Sequence, residues 1–105
     1  MRENEIEKIL KDEVKKLDGL AYKWKSPGND GVPDRIVIFP NRRPIFVELK
    51  TDTGKLSALQ SLQIERLQEL GQPVEVTYGI KGISQFFRDY GYAEVSKALD
   101  CKYGL

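Results

Sequence analysis

A chain of 105 residues, 40% hydrophobic and 31% charged with a net charge of +1, is sized for one domain and one core, residues 1–105, and its balance is not that of a disordered chain. No apolar run approaches the roughly 20 residues of a membrane span, and the charged start MRENEIEKILKDE is unlike a signal peptide. With no histidine and one cysteine, Cys101, the sequence excludes His-based catalysis, zinc knuckles and an internal disulfide.

Three consequences follow. Any bound metal must take oxygen ligands, which favours Mg²⁺ or Mn²⁺. Nucleic-acid binding would need a local basic patch, because the net charge supplies no global attraction. The lone thiol fits a reducing cytosol.

From Glu3 to about Leu17, residues Ile6, Ile9, Leu10, Val14 and Leu17 fall at helical spacing, with Gly19 as the expected C-cap. Glu3 and Glu13 lie within or beside the apolar arc, and Glu5 and Glu7 lie to either side. Leu20 to Lys25 alternates as a short strand, with Tyr22 and Trp24 on one side. Ser26 to Gly31 is a turn-rich loop, either a flexible connector or a backbone-amide surface for a phosphate. Asp34 then opens Arg35–Phe39, whose four consecutive apolar residues predict a central strand covered on both faces.

After the turn Pro40–Pro44, the return strand Ile45–Lys50 alternates: Ile45, Val47 and Leu49 point one way, Phe46, Glu48 and Lys50 the other. Glu48 and Lys50 thus share a face, about 7 Å apart along the strand, and pairing brings Asp34 near them. Beyond the polar loop Thr51–Leu56, Ser57 and Gln60 form a capping box opening a helix. Leu59, Leu62, Leu67 and Leu70 are its expected core contacts, and Gly71 its stop. Pro73 to Tyr78 reads as a strand; Gly82–Tyr90 and Tyr92–Leu99 read as one or two helices meeting at Gly91. The order αβββαβα predicts an α/β sandwich: a central mixed sheet flanked by helices.

Two acids and a lysine on adjacent arms of a hairpin suit metal-dependent phosphodiester hydrolysis, which needs an activated water and relief of developing charge. Asp34 and Glu48 would hold the cation, the Leu49 carbonyl can add a ligand, and Lys50 would orient water or offset charge. On spacing alone, Glu48 and Lys50 fit a surface ion pair equally well. Asp34 shifts the balance, because an acid at the start of a buried strand has little use for stability.

The segments GVPDRIVIF, FVELK and GKLSALQ together resemble the VRR-NUC (virus-type replication-repair nuclease) branch of the PD-(D/E)XK nuclease superfamily, over Glu3 to about Tyr78. The resemblance implies a restriction-endonuclease-like fold in which Asp34 and Glu48 bind metal and Lys50 is catalytic. It implies a further acid on the first helix, matched by Glu3 with Glu7 as the alternative. Gln60 matches a glutamine associated with the family's active site; its helix-cap role competes, and one side chain is not expected to do both.

The implied activity is that of a Mg²⁺- or Mn²⁺-dependent endodeoxyribonuclease, structure-selective on branched DNA and similar to the Holliday-junction resolvases. Those act as homodimers, and stand-alone relatives are phage and bacterial proteins, which places this chain in a bacterial cytoplasm. The alternatives are a non-catalytic nucleic-acid-binding module of the same fold and a flap- or nick-directed nuclease. A site-specific restriction-type enzyme finds no room for a recognition domain. Backbone contacts to DNA are expected from Lys23, Lys25, Ser26, Arg35, Arg42, Arg43 and Lys55 around the site, although Arg35 can instead pair with an acid. A dimer surface is sought among Phe86, Phe87, Tyr90, Tyr92 and Tyr103, for which the core is the competing location.

Overall fold

The computed structural model describes residues 1–105, and its first helix follows the apolar spacing: α1 (Glu3–Lys16) buries Ile6, Leu10 and Val14. Its end differs from expectation. Asp18, not Gly19, takes the left-handed conformation (φ 62°), and the Gly19 N–H donates back to the Val14 carbonyl at 3.0 Å. Gly19 is needed for closeness instead: a Cβ there would meet the Ile38 carbonyl oxygen at 2.7 Å. The remaining elements are β1 (Leu20–Lys23), β2 (Arg35–Ile38), β3 (Ile45–Lys50), α2 (Ala58–Glu69), β4 (Val74–Tyr78), α3 (Gly79–Asp89) and α4 (Ala93–Tyr103). Gly91 therefore separates two distinct carboxy-terminal helices.

The sheet order is β1-β2-β3-β4, with β1, β2 and β3 antiparallel and β4 parallel to β3. This is the mixed sheet expected; α2 supplies the crossover that a parallel pair requires. On one face Ala21, Val37, Ile45, Val47 and Leu49 join Ile6, Leu10, Val14, Ile83, Phe86, Phe87 and Leu99 in one core beneath α1, α3 and α4. The opposite face carries Glu48, which α2 reaches through Gln60.

Two expectations need correction. β2 is central by pairing but not covered on both faces: Val37 is buried while Ile36 and Ile38 are only half-buried, because no helix lies over the β1–β2 part of the outer face. In α2 the residues turned to the sheet are Gln60, Ile64 and Leu67, spaced i, i+4 and i+7. Leu59, Leu62 and Leu70 fall on the opposite side and are exposed, so Ile64 is the helix's buried anchor.

The aromatic carboxyl end packs into the core, the competing location for these rings. Phe86 and Phe87 are buried, and Tyr90, Tyr92 and Tyr103 pack against the same cluster, with Phe39 lying 4.7 Å from Tyr92 between ring centroids. A polar clasp joins α3 to α4, in which the buried Ser84 hydroxyl meets Ser96 Oγ at 2.8 Å and donates to Asp100.

Candidate active site

The hairpin register sets the site. Arg35 pairs with Val47, so the preceding Asp34 stands opposite Glu48 on the outer face of the sheet. Asp34 Oδ2 accepts the Leu49 N–H at 3.0 Å. The N–H and carbonyl of one strand residue leave on the same edge, so the Leu49 carbonyl also leaves β3 on the side of Asp34.

Glu48 is 1% exposed. Its Oε2 accepts from Gln60 Nε2 at 3.2 Å and lies 3.5 Å from Lys50 Nζ. Its Oε1 is buried with no hydrogen-bond partner. Burial pushes the carboxyl up to about 7; the charges of Asp34 and Glu3 add to the shift and Lys50 opposes it. An orphaned buried acceptor costs roughly 1–3 kcal/mol, so this arrangement is not one that stability alone would favour. A hard cation would satisfy Oε1, and the oxygens of Glu48, Asp34 and Leu49 are the donor types that Mg²⁺ and Mn²⁺ prefer.

No third acid closes around this pair, since no three acidic side chains cluster tightly enough to hold a metal. Glu3 is exposed at the start of α1 and acts on Glu48 through its field. Glu7 is placed elsewhere. Its carboxylate accepts from Arg35 Nε at 2.8 Å, and Arg35 also donates to the Ala21 carbonyl. That largely buried ion pair ties α1 to β2 and engages Glu7 and Arg35 with each other rather than with the Asp34–Glu48 pair.

Gln60 corrects the expectation that one side chain cannot serve two roles. Its Oε1 accepts the Ser57 N–H at 2.9 Å, completing the capping box, while Nε2 holds Glu48. Gly31, at φ 89°, seats this helix start: a Cβ there would lie 2.7 Å from the Leu59 carbonyl carbon and 2.9 Å from the Gln60 nitrogen. The sequence signals Gly31 only as one glycine in a turn-rich loop. Separating the two roles of Gln60 is direct. Ser57→Ala should cost about 1 kcal/mol in urea unfolding with cleavage little changed, because it removes the cap alone. Gln60→Ala should lower both stability and cleavage, having also released Glu48.

Of the cations, Lys23 and Lys25 are exposed beside Asp34, with the Trp24 N–H bonded to the Asp34 carbonyl between them, and Lys55 is exposed on the loop after Lys50. None of the three makes an ion pair within the chain. Ser26 closes its own loop, accepting from Asn29 Nδ2 at 3.0 Å. Arg42 and Arg43 do not surround the site as expected. They sit in the β2–β3 turn at the opposite end of the hairpin, roughly 15 Å from Glu48 by strand rise. There Arg42 donates to the Tyr90 carbonyl and Arg43 to the Gly71 carbonyl, each at a helix C-terminus, where cations are favoured.

Known proteins resemble this chain in sequence and in fold. The family model of the VRR-NUC domain matches residues 2–81. The chain is 49% identical over 76 residues to “Putative nuclease p44” of Acyrthosiphon pisum secondary endosymbiont phage 1, a match covering 72% of this chain and 82% of that protein. A solved VRR-NUC domain superposes with a TM-score of 0.78 at 30% identity, over 84% of this chain and 96% of the other. A second solved structure, a VRR-NUC domain protein, has a TM-score of 0.69 at 18% identity over 86% and 88% of the two chains, a likeness of fold.

Proposed function

The chain belongs to the VRR-NUC family of nucleases, and from that premise we propose that it is a Mg²⁺- or Mn²⁺-dependent endonuclease acting on branched DNA. The observation that carries the metal dependence is the buried, unpartnered Oε1 of Glu48 beside Asp34. Glu48, Asp34 and the Leu49 carbonyl would hold the cation, with Glu3 at the rim. When bound, such a cation supplies charge neutralisation at the phosphoryl oxygens and makes water a nucleophile near neutral pH.

The chain's own groups do the rest. Gln60 holds Glu48 Oε2 and leaves Oε1 without a hydrogen-bond partner. Asp34 is held in orientation by the Leu49 N–H. Lys50, next to Glu48 on the same face, can donate to the attacking water or to a phosphoryl oxygen and offset charge in the transition state. Exposed Lys23, Lys25 and Lys55 offer contacts to backbone phosphates, which position a duplex without reading its sequence. Two opposed cuts at a four-way junction call for a second copy, so the proposal includes a homodimer.

A cleavage panel tests this reading: four-way junction, flap, nicked and blunt linear duplex in Mg²⁺ or Mn²⁺, with molecular mass in solution measured alongside. Cleavage of the branched substrates, abolished by EDTA and restored by Mn²⁺, is the expected result. Equal cutting of blunt duplex removes the branch selectivity. Binding with no metal-dependent cleavage of any substrate means that this chain is a binding module.

A further inference from the structure

The outer face of the sheet holds an aromatic surface beside the acids. Across the strands, Trp24, Asp34 and Glu48 occupy one row, given by the Trp24 N–H bond to the Asp34 carbonyl and the hairpin register. One step away, Tyr22 pairs with Ile36 and Ile36 with Phe46. By strand alternation Tyr22 and Trp24 point to the same face as Asp34 and Glu48, with their ring-bearing positions about 7 Å apart.

No helix covers this part of the sheet. Tyr22 is 58% exposed, and Trp24 is half-buried with Phe46 packed against it, 5.1 Å between centroids. Beside Trp24 the Ser26–Gly31 loop walls an open recess of about 350 Å³ lined by Lys25, Ser26, Asn29 and Asp30. Lys25 lines that recess just beyond the edge strand β1, whereas Lys23, paired with Arg35, alternates to the other face; neither is bound to a carboxylate.

We propose that Tyr22 and Trp24 form a stacking platform for an unpaired nucleobase of the substrate, next to the scissile position. The proposal rests on the nuclease reading of the same site. Planar rings on an exposed face, with the unpaired Lys25 at the recess beside them, fit a nucleic acid strand: each base offers a π-face and each phosphate a charge for a lysine. Bases inside a continuous duplex are covered on both faces by their neighbours, so the platform engages a nucleotide unstacked at a branch, flap or single-stranded end. Phe46 holds the indole in place, so little ordering remains to be done on binding.

Trp24 is the only tryptophan of the chain, so its emission reports on this surface alone. Metal-free protein in EDTA is titrated with a short oligothymidylate and, separately, with a blunt, fully paired linear duplex. The platform requires strong quenching by the oligothymidylate and little by the duplex. Tyr22→Ala should weaken oligothymidylate binding about tenfold, and Tyr22→Phe, which keeps the ring, should restore it. Tyr22 is exposed, so its replacement leaves the core untouched.

Emission indifferent to the single strand, or wild-type affinity in Tyr22→Ala, overturns the proposal. So does emission that shifts with protein concentration alone, which would place this face between two copies of the chain. Quenching that persists where no DNA is cleaved would support the platform and strike the nuclease reading; cleavage without quenching would do the reverse.

Discussion

Lys50→Ala is expected to lower the cleavage rate constant by roughly 10²–10³ while leaving DNA binding within a few-fold, the pattern of a charge used mainly in the transition state. The Lys50 side chain is only 13% exposed and its ammonium lies 3.5 Å from Glu48 Oε2, so it acts where water can screen it little. A second effect has to be kept apart. Lys50 opposes the upward shift of the Glu48 carboxyl, so its removal moves that group's titration to higher pH. The comparison therefore belongs at pH 8.5 or above, with single-turnover rates and metal-free binding measured on the same preparation. A rate unchanged there would remove Lys50 from the chemistry.

Glu48→Gln should move activity and stability in opposite directions. Loss of the charge removes the central ligand, and cleavage should fall by at least about 10³. The metal-free protein, however, should become more stable at neutral pH and above. The Glu48 carboxyl sits at about 7 in the folded chain against an ordinary value of 4.5, so the folded state binds its proton more tightly. That contribution is fully present below 4.5 and is lost as pH rises from there through about 7, an effect of up to about 3 kcal/mol. Wild-type protein in EDTA should therefore lose stability across this window, and the Glu48→Gln variant should be flatter across it. Mn²⁺ should raise the wild-type midpoint above pH 7 with the logarithm of its concentration and leave the variant unmoved. Urea unfolding at a series of pH values reads all three; parallel curves for the two proteins would show that Glu48 is not the titrating burden.

The acids and lysine of the hairpin were legible in the sequence because period-two alternation is a local rule that puts Glu48 and Lys50 on one face of β3, although the burial of Glu48 itself breaks the pattern. What escaped was decided by distant partners. The ion pair of Glu7 with Arg35 joins residues 28 apart and requires knowing that α1 crosses β2. Arg42 and Arg43 are near Asp34 in number, but an antiparallel hairpin sends its turn to the far end of the sheet, where helix C-termini receive them. Four consecutive apolar residues in and after β2 do not tell whether a helix covers each face, so nothing local in the sequence distinguishes the open outer face from a covered one. The leucines of α2 outnumber its one buried isoleucine, and counting apolar residues chose the wrong side.

The two-ended amide of Gln60 restricts what position 60 can be. The helix start needs an acceptor for the Ser57 N–H, and the buried Glu48 needs a donor, both from one side chain of the right length. Glutamate could cap but would set a second negative charge against Glu48; lysine could donate but could not cap; asparagine is a methylene shorter. Among the acid, lysine and amide side chains, glutamine alone combines acceptor, donor and reach. Random substitution at this position should therefore return a nearly single-letter alphabet, unlike the permissive exposed positions 59 and 62 on either side.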